Sequence, residues 1–158
     1  MTGAGFRIGP VESDSDLRAA IALFEGYAAS LPVSLGYQDF AGELASLPGK
    51  YAPPTGVLLL ARDAEGPLGC VGLRALATGI CEMKRLYLMP AARGRGIGRA
   101  LTVAVIEQAR SLGYRELRLD TLPSMAAATA LYAGMGFERI EPYYGPTPPG
   151  TLFMALAL

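Results

Sequence analysis

Apolar residues recur with two distinct periods along the chain, and the alternation between them outlines the fold. Residues 6–11 read as a short first strand, after which Ser13, Asp14 and Asp16 supply an N-cap and first-turn acids. Leu17, Ala20, Ile21, Phe24 and Ala28 then fall at helical spacing until Leu31-Pro32. Phe40, Leu44 and Leu47 mark a second helix that Pro48-Gly49 stops. Residues 50–56, with two prolines, read as a linker. The apolar run 56–61 is too short for a helix. It leads through the turn 63–67 into a second run over 68–75, so the two predict a hairpin, and Thr78-Gly79 turns the chain again into a third strand over 80–88 that stops at Pro90.

The pattern then changes. A Gly/Arg-rich loop over 93–98 opens a helix carrying Leu101, Ala104, Val105, Ile106, Ala109 and Leu112, closed by Gly113. Residues 115–121 alternate Leu117 and Leu119 with charged side chains, as a strand does. Ser124 is placed to cap a further helix running to Met135, and residues 137–140 and 151–158 supply two last strands around a Pro- and Tyr-rich loop. Hairpins followed by strand-loop-helix-strand-helix-strand predict a single α/β domain of the α+β type. Its mixed, mostly antiparallel sheet would have about seven strands, with helices on both faces.

Composition narrows what such a domain can do. Half of the 158 residues are apolar (51%) and 18% are charged, which excludes intrinsic disorder. Fourteen basic and fourteen acidic side chains cancel, so a generic nucleic-acid or anionic-membrane binder is not expected. There is no His and no Trp. Mechanisms built on an imidazole base and His-ligated metals are therefore unavailable, and no metal is expected. Cys70 and Cys81 lack CxxC spacing, and if their segments pair as a hairpin about residues 77–78 the sulfurs fall out of register, which predicts two reduced core thiols. No segment reaches the roughly 20 apolar residues of a membrane span, and the start lacks the basic-then-apolar order of a signal peptide, so a cytoplasmic protein is expected.

The neutral chain has one basic focus. Between residues 84 and 99 lie Lys84, Arg85, Arg93, Arg95 and Arg99 with no acid among them. It coincides with Arg93-Gly94-Arg95-Gly96-Ile97-Gly98 at a predicted helix start, where glycines let the backbone approach an anion and free N–H groups and the helix dipole point at it. That arrangement predicts a pyrophosphate cradle. A P-loop is excluded because its GxxxxGK[ST] pattern is missing. A dinucleotide fold would take Asp120 as its ribose ligand. It is disfavoured because Arg99 occupies the third glycine position and because such a fold should open with this unit.

Arg93-x-x-Gly96-x-Gly98 after the strand ending Leu86-Tyr87-Leu88-Met89-Pro90, followed by Ala128-x-x-Leu131-Tyr132-x-x-x-Gly136-Phe137, resembles the GNAT family of acetyl-CoA-dependent N-acetyltransferases. The resemblance runs from about residue 57 to 140. It implies a sheet splayed between strands 80–88 and 115–121, with acetyl-CoA as co-substrate in the cleft. The pyrophosphate would sit on the backbone N–H groups of Arg93, Gly94, Arg95, Gly96, Ile97, Gly98 and Arg99, and the pantetheine arm would pair with the strand edge at Leu86, Tyr87 and Leu88. Tyr132 matches the family's general acid, and its phenol, with an ordinary pKa near 10, stays protonated at neutral pH. Several members carry a glutamate at the distance of Glu82, which makes Glu82 the candidate base, acting through water. Its alternative is an ion pair with Lys84 or Arg85. Simple alternation puts Glu82 on the face of Leu86 and Leu88, unless a bulge intervenes. Asp120 is expected to cap the next helix. Where members often carry an Asn that contacts the cofactor, this chain has Met125.

By the same resemblance the acceptor lies opposite the cofactor, walled by residues 37–51 and 142–150. These offer Tyr37, Gln38, Asp39, Tyr51, Tyr143 and Tyr144, a lining that suits a small-molecule amine better than an anionic substrate if the positive charges serve the cofactor. The resulting expectation is an N-acetyltransferase working by direct attack of the amine on the thioester. A non-catalytic acyl-CoA sensor on the same fold and a dinucleotide-dependent oxidoreductase are the alternatives. Whether the chain forms a homodimer stays open.

Overall fold

The computed structural model describes residues 2–3 and 5–158. Eight strands, β1 (Thr2–Gly3), β2 (Phe6–Pro10), β3 (Val57–Asp63), β4 (Gly66–Ala77), β5 (Ile80–Leu88), β6 (Glu116–Thr121), β7 (Glu138–Ile140) and β8 (Leu152–Ala157), form one sheet in the order β1-β2-β3-β4-β5-β6-β8-β7. Four α-helices accompany it: α1 (Asp14–Ser30), α2 (Phe40–Ser46), α3 (Ile97–Ser111) and α4 (Ala126–Gly134). The additional strand beyond the expected seven is the two-residue β1, paired to β2. Every pairing is antiparallel except β5 with β6. A doubly wound parallel sheet, and with it the dinucleotide-fold alternative, is excluded.

Alternation along β3 divides the core. Val57, Leu59 and Ala61 pack toward α3, together with Leu73, Cys81, Leu117 and the helix residues Ile97, Leu101 and Val105. Leu58 and Leu60 point the other way and pack with Cys70, Tyr51 and the α1 residues Ala20, Leu23 and Phe24. Cys70 and Cys81 thus lie in cores on opposite faces of the sheet, both as free thiols. The segment expected as a plain linker contains a 3-10 turn, Gly49–Tyr51, that buries the Tyr51 ring edge-on to Phe24 with centroids 5.9 Å apart.

The helix ends follow local chemistry. Ser13 and Asp16 form a reciprocal capping box at the start of α1: the Asp16 N–H donates to Ser13 Oγ at 3.0 Å, and the Ser13 N–H donates to Asp16 Oδ2 at 3.4 Å. At α4 the expected Ser124 cap is not formed. The Met125 N–H donates to the Leu122 carbonyl at 2.9 Å, so a turn over 122–125 makes Met125 the N-cap residue, without a side-chain bond, and leaves Ser124 exposed.

Two features of β5 open the molecule for function. Its parallel pairing with β6 covers only Ile80, Cys81 and Glu82, opposite Glu116, Leu117 and Arg118. From Met83 onward the two strands diverge, and the β5 edge facing β6 has no strand partner among the described residues. Further along, the register with β4 shifts between Cys70 and Gly72, which oppose Tyr87 and Lys84, so β5 carries one extra residue there. Arg85 takes φ 63° at that bulge. The bulge resets the alternation: Leu86 and Leu88 pack on the α3 side, whereas Glu82 does not share their face as simple alternation predicted.

Candidate active site

A groove of about 530 Å³ runs along the splayed edge of β5. Leu86, Tyr87 and Leu88 form one wall, Met125 with Ala128 and Leu131 of α4 the other, and Arg93, Gly94 and Gly98 its mouth. At the mouth Gly94 and Gly96 adopt φ 80° and 76°, left-handed values that side chains with a Cβ rarely take. No atom lies within 4 Å of where a Cβ would stand on either glycine, so the space before the turn is open. The first intrahelical bond of α3 is from the Ala100 N–H to the Gly96 carbonyl, which leaves the N–H groups of Ile97, Gly98 and Arg99 free at the positive end of the helix. The turn thus presents a cluster of backbone donors to an anion.

Its side chains are divided. Arg93 stays at the mouth, within 3.4 Å of the Leu88 carbonyl. Arg95 turns away to Asp63 at 3.5 Å and lines a different cavity. Ile97 is fully buried in the core and contributes an N–H, not a side chain, and Arg99 is exposed. Lys84 and Arg85, counted with this basic focus in the sequence, face the other end of the site.

Tyr132 lies in α4, nearly buried, with its ring centroid 5.6 Å from that of Phe137. It lines a small cavity of about 20 Å³ together with Leu86, Lys84, Asp120, Thr121 and Met125. Burial, reinforced by Tyr27 and the Asp120 charge, pushes the phenol well above its usual value and keeps it protonated.

Beyond this cavity lies a cleft of about 390 Å³ walled by Tyr37, Gln38, Lys84, Arg85 and Tyr144. Gln38 is its hub. Its amide nitrogen donates to Tyr144 Oη at 2.8 Å, to Tyr37 Oη at 3.2 Å and to Asp120 Oδ2 at 3.4 Å, and its oxygen accepts from Arg85 at 2.7 Å. Arg85 is held by both Glu43 oxygens at 2.9 Å and lies over the Phe40 and Tyr27 rings. Asp120 accepts from Tyr144 and lies 3.8 Å from Lys84, so it belongs to this network and does not cap α4 as expected. Of the expected acceptor residues the structure brings Tyr37, Gln38 and Tyr144 together at the cleft, whereas Tyr143 does not line it. Tyr51 sits one layer behind, donating to Glu43 at 3.0 Å, and Asp39 lies on the rim of the same cleft.

Glu82 is fully buried. Oε1 pairs with Arg74 at 2.8 Å and Oε2 accepts from Tyr143, so its partner is neither Lys84 nor Arg85. It does not line the cavity of Tyr132, whereas Asp120 does. Tyr143 stacks edge-on to Phe153 and Tyr144, which ties the loop before β8 to the sheet. Sequence reasoning missed Glu43, Arg74, Lys84 and Arg85 as walls of the cleft. Lys84 and Arg85 stood in a visible basic run, but the turn at Arg85 that aims them has no signature in residue type.

Comparison with known proteins gives a consistent result. The family model described as Acetyltransferase (GNAT) family matches residues 17–137. An uncharacterized N-acetyltransferase of Schizosaccharomyces pombe is 37% identical over 160 residues, covering 100% of this chain and 98% of its own. Among solved structures, an acetyltransferase of the GNAT family from Staphylococcus aureus superposes with a TM-score of 0.80 at 19% identity, covering 96% of this chain and 98% of that one. The PaiA N-acetyltransferase of Thermoplasma acidophilum in complex with coenzyme A superposes with a TM-score of 0.74 at 20% identity, covering 97% and 99%. The family model spans most of the chain and the fission-yeast relative all of it: this chain belongs to the GNAT family of acetyltransferases.

Proposed function

We propose that the protein is an N-acetyltransferase that moves the acetyl group of acetyl-CoA to a primary amine of a small molecule by direct attack. The observation that carries this reading is the continuity of the site. An open groove headed by unbonded backbone donors leads to Tyr132, and on the far side of Tyr132 lies a polar cleft. The residues present fit a coenzyme A. Free N–H groups of residues 97–99 and the Arg93 guanidinium suit the pyrophosphate, and the unpaired edge of β5 at Leu86, Tyr87 and Leu88 suits the amides of the pantetheine arm.

In the chemical step Asp120, rather than the buried Glu82, takes the proton of the incoming ammonium, since Asp120 lines the cavity that Tyr132 also lines. Tyr132 gives its proton to the departing thiolate and is restored by the second proton that the nitrogen loses as the amide forms. Transfer from an ammonium to an amide releases one proton net, and Asp120 passes it to solvent through the cleft. Glu82 acts as a positioning residue: it anchors Tyr143, and so holds Tyr144 against Asp120.

The test is a thermal shift followed by a thiol-release assay. At 100 times its Kd, acetyl-CoA should stabilise the fold by about 2.7 kcal/mol, a shift of roughly 5–10 °C for a domain of this size, whereas NADH should not. Release of free CoA on adding amines would then establish transfer. Binding of acetyl-CoA without release by any amine would identify a sensor instead.

A further inference from the structure

Three cations stand around the acceptor cleft, and they differ in how their charge is met. Arg74 engages Glu82 through two nitrogens, and Arg85 engages both oxygens of Glu43 and the oxygen of Gln38. Lys84 is buried, with 7% of its surface exposed, yet its ammonium makes no hydrogen bond among the described residues. Its one charged contact, Asp120 Oδ1 at 3.8 Å, is too long for one, and the remaining contact is the face of the Tyr144 ring. An ammonium this enclosed, with no protein acceptor in hydrogen-bond range, is open to a ligand that supplies one.

A second uncommitted donor lies beside the same spaces. The Tyr37 hydroxyl accepts from Gln38 but donates to no described residue. Both Lys84 and Tyr37 line the small cavity of Tyr132 and the larger cleft beyond it. Four cations, Lys50, Arg74, Lys84 and Arg85, line that cleft beside Asp39 and Glu43, with Glu82 and Asp120 as partners of Arg74 and Lys84. The premise that positive charge serves only the cofactor end of the site therefore does not hold.

We infer that the acceptor carries a carboxylate beside its amine, as an amino acid does, and that Lys84 and Tyr37 receive that carboxylate. The inference rests on the acetyl-transfer reading above and specifies its substrate class. A carboxylate offers two oxygens to two donors. A zwitterion with neighbouring charges lies antiparallel to the Lys84–Asp120 pair, its carboxylate toward the ammonium and its amine toward the group that takes the proton. A dianion such as a phosphate would meet Asp120 at close range, so a monoanion is the better match.

The experiment compares acetylation of amino acids with that of their primary amides and decarboxylated amines, for example alanine, alaninamide and ethylamine, and likewise for methionine and phenylalanine. The acid should be preferred by at least about tenfold in kcat/KM, because a site that donates to a substrate group discriminates against an analogue lacking it. Lys84→Met should collapse the acid-to-amide ratio toward one. Tyr37→Phe should reduce it in part, and it keeps the inference testable should Lys84→Met fail to fold, as judged by its thermal shift with acetyl-CoA. If amides and simple amines are acetylated as well as acids by the unaltered protein, the carboxylate inference is overturned and acetyl transfer stands. If acetyl-CoA binds but no amine in the panel is acetylated, the transfer reading itself falls, and the inference with it.

Discussion

The Tyr144 hydroxyl donates to Asp120 Oδ2 at 2.5 Å, joining the loop before the last strand to the end of β6. The same hydroxyl accepts from Gln38, so one oxygen ties three separate segments of the chain around the acceptor cleft. Tyr144→Phe keeps the ring over Lys84 and its packing on Phe153, but removes both bonds. The KM for the amine should rise about tenfold, the cost of one charge-assisted hydrogen bond, with acetyl-CoA affinity unchanged. An equal loss in acetyl-CoA affinity would mean that the loop shapes the groove as well as the cleft.

Tyr132 has a different signature. Its phenol is pushed above its ordinary value of 10.0, first by burial and then by neighbouring negative charge, so the protonated form that donates persists through the working range and beyond it. Tyr132→Phe should therefore lower kcat by about 10²-fold or more while leaving acetyl-CoA binding near wild type. The alkaline limb of the pH profile should not come from this group. Pre-steady-state measurement of thiol release in the variant checks both statements, and an unchanged kcat would make water the acid.

Much of this arrangement is legible in the residues, and the parts that are not share a cause. The Ser13 cap and the spacing of Leu17, Ala20 and Phe24 are local signals, and α1 forms where they place it. The glycine turn before α3 is equally local, because only glycine suits φ near 80°. Arg85 is the counterexample: a left-handed conformation at a non-glycine residue is selected by its bonds to Glu43 and Gln38, which lie over forty residues away. That single turn decides which face Leu86 and Leu88 serve and sends Lys84 and Arg85 to the acceptor. Asp120 likewise looks like a helix cap from its neighbours in sequence. It is drawn away by Gln38 and Tyr144, 82 and 24 residues distant. Where a side chain has competing local and long-range partners, spacing alone cannot choose between them.

Gly96 separates backbone strain from binding. At φ 76° a Cβ meets no neighbour, so Gly96→Ala costs only the left-handed strain of about 1–2 kcal/mol. If the turn relaxes to relieve that strain, the donors of residues 97–99 lose their aim, and acetyl-CoA affinity should fall at least about tenfold. Gly113, at φ 86° and equally open, closes the other end of α3 and is the control. Gly113→Ala should lose similar stability with no change in acetyl-CoA affinity. Calorimetric titration with parallel thermal melts distinguishes the two, and equal affinities in both variants would remove the turn from the binding site.

Asp16 carries a pH-dependent share of stability far from the site. It accepts from Arg62 at 2.8 Å and from the Glu12 N–H at 3.0 Å, and these bonds hold its carboxyl down at about 2, from 3.8. A carboxylate with a depressed folded-state pKa stabilises the fold above its unfolded value and loses that contribution as pH falls toward the folded one. The window is therefore from about pH 4 down to pH 2. Asp16→Asn preserves an oxygen for the helix N-terminus but discards the charge, and should cost about 1–2 kcal/mol at neutral pH. The gap between variant and wild type should then close as the solution is acidified through that window. Urea unfolding at a series of pH values measures it directly. A gap that stayed constant down to pH 2 would assign the loss to helix capping geometry instead of to the charge of Asp16.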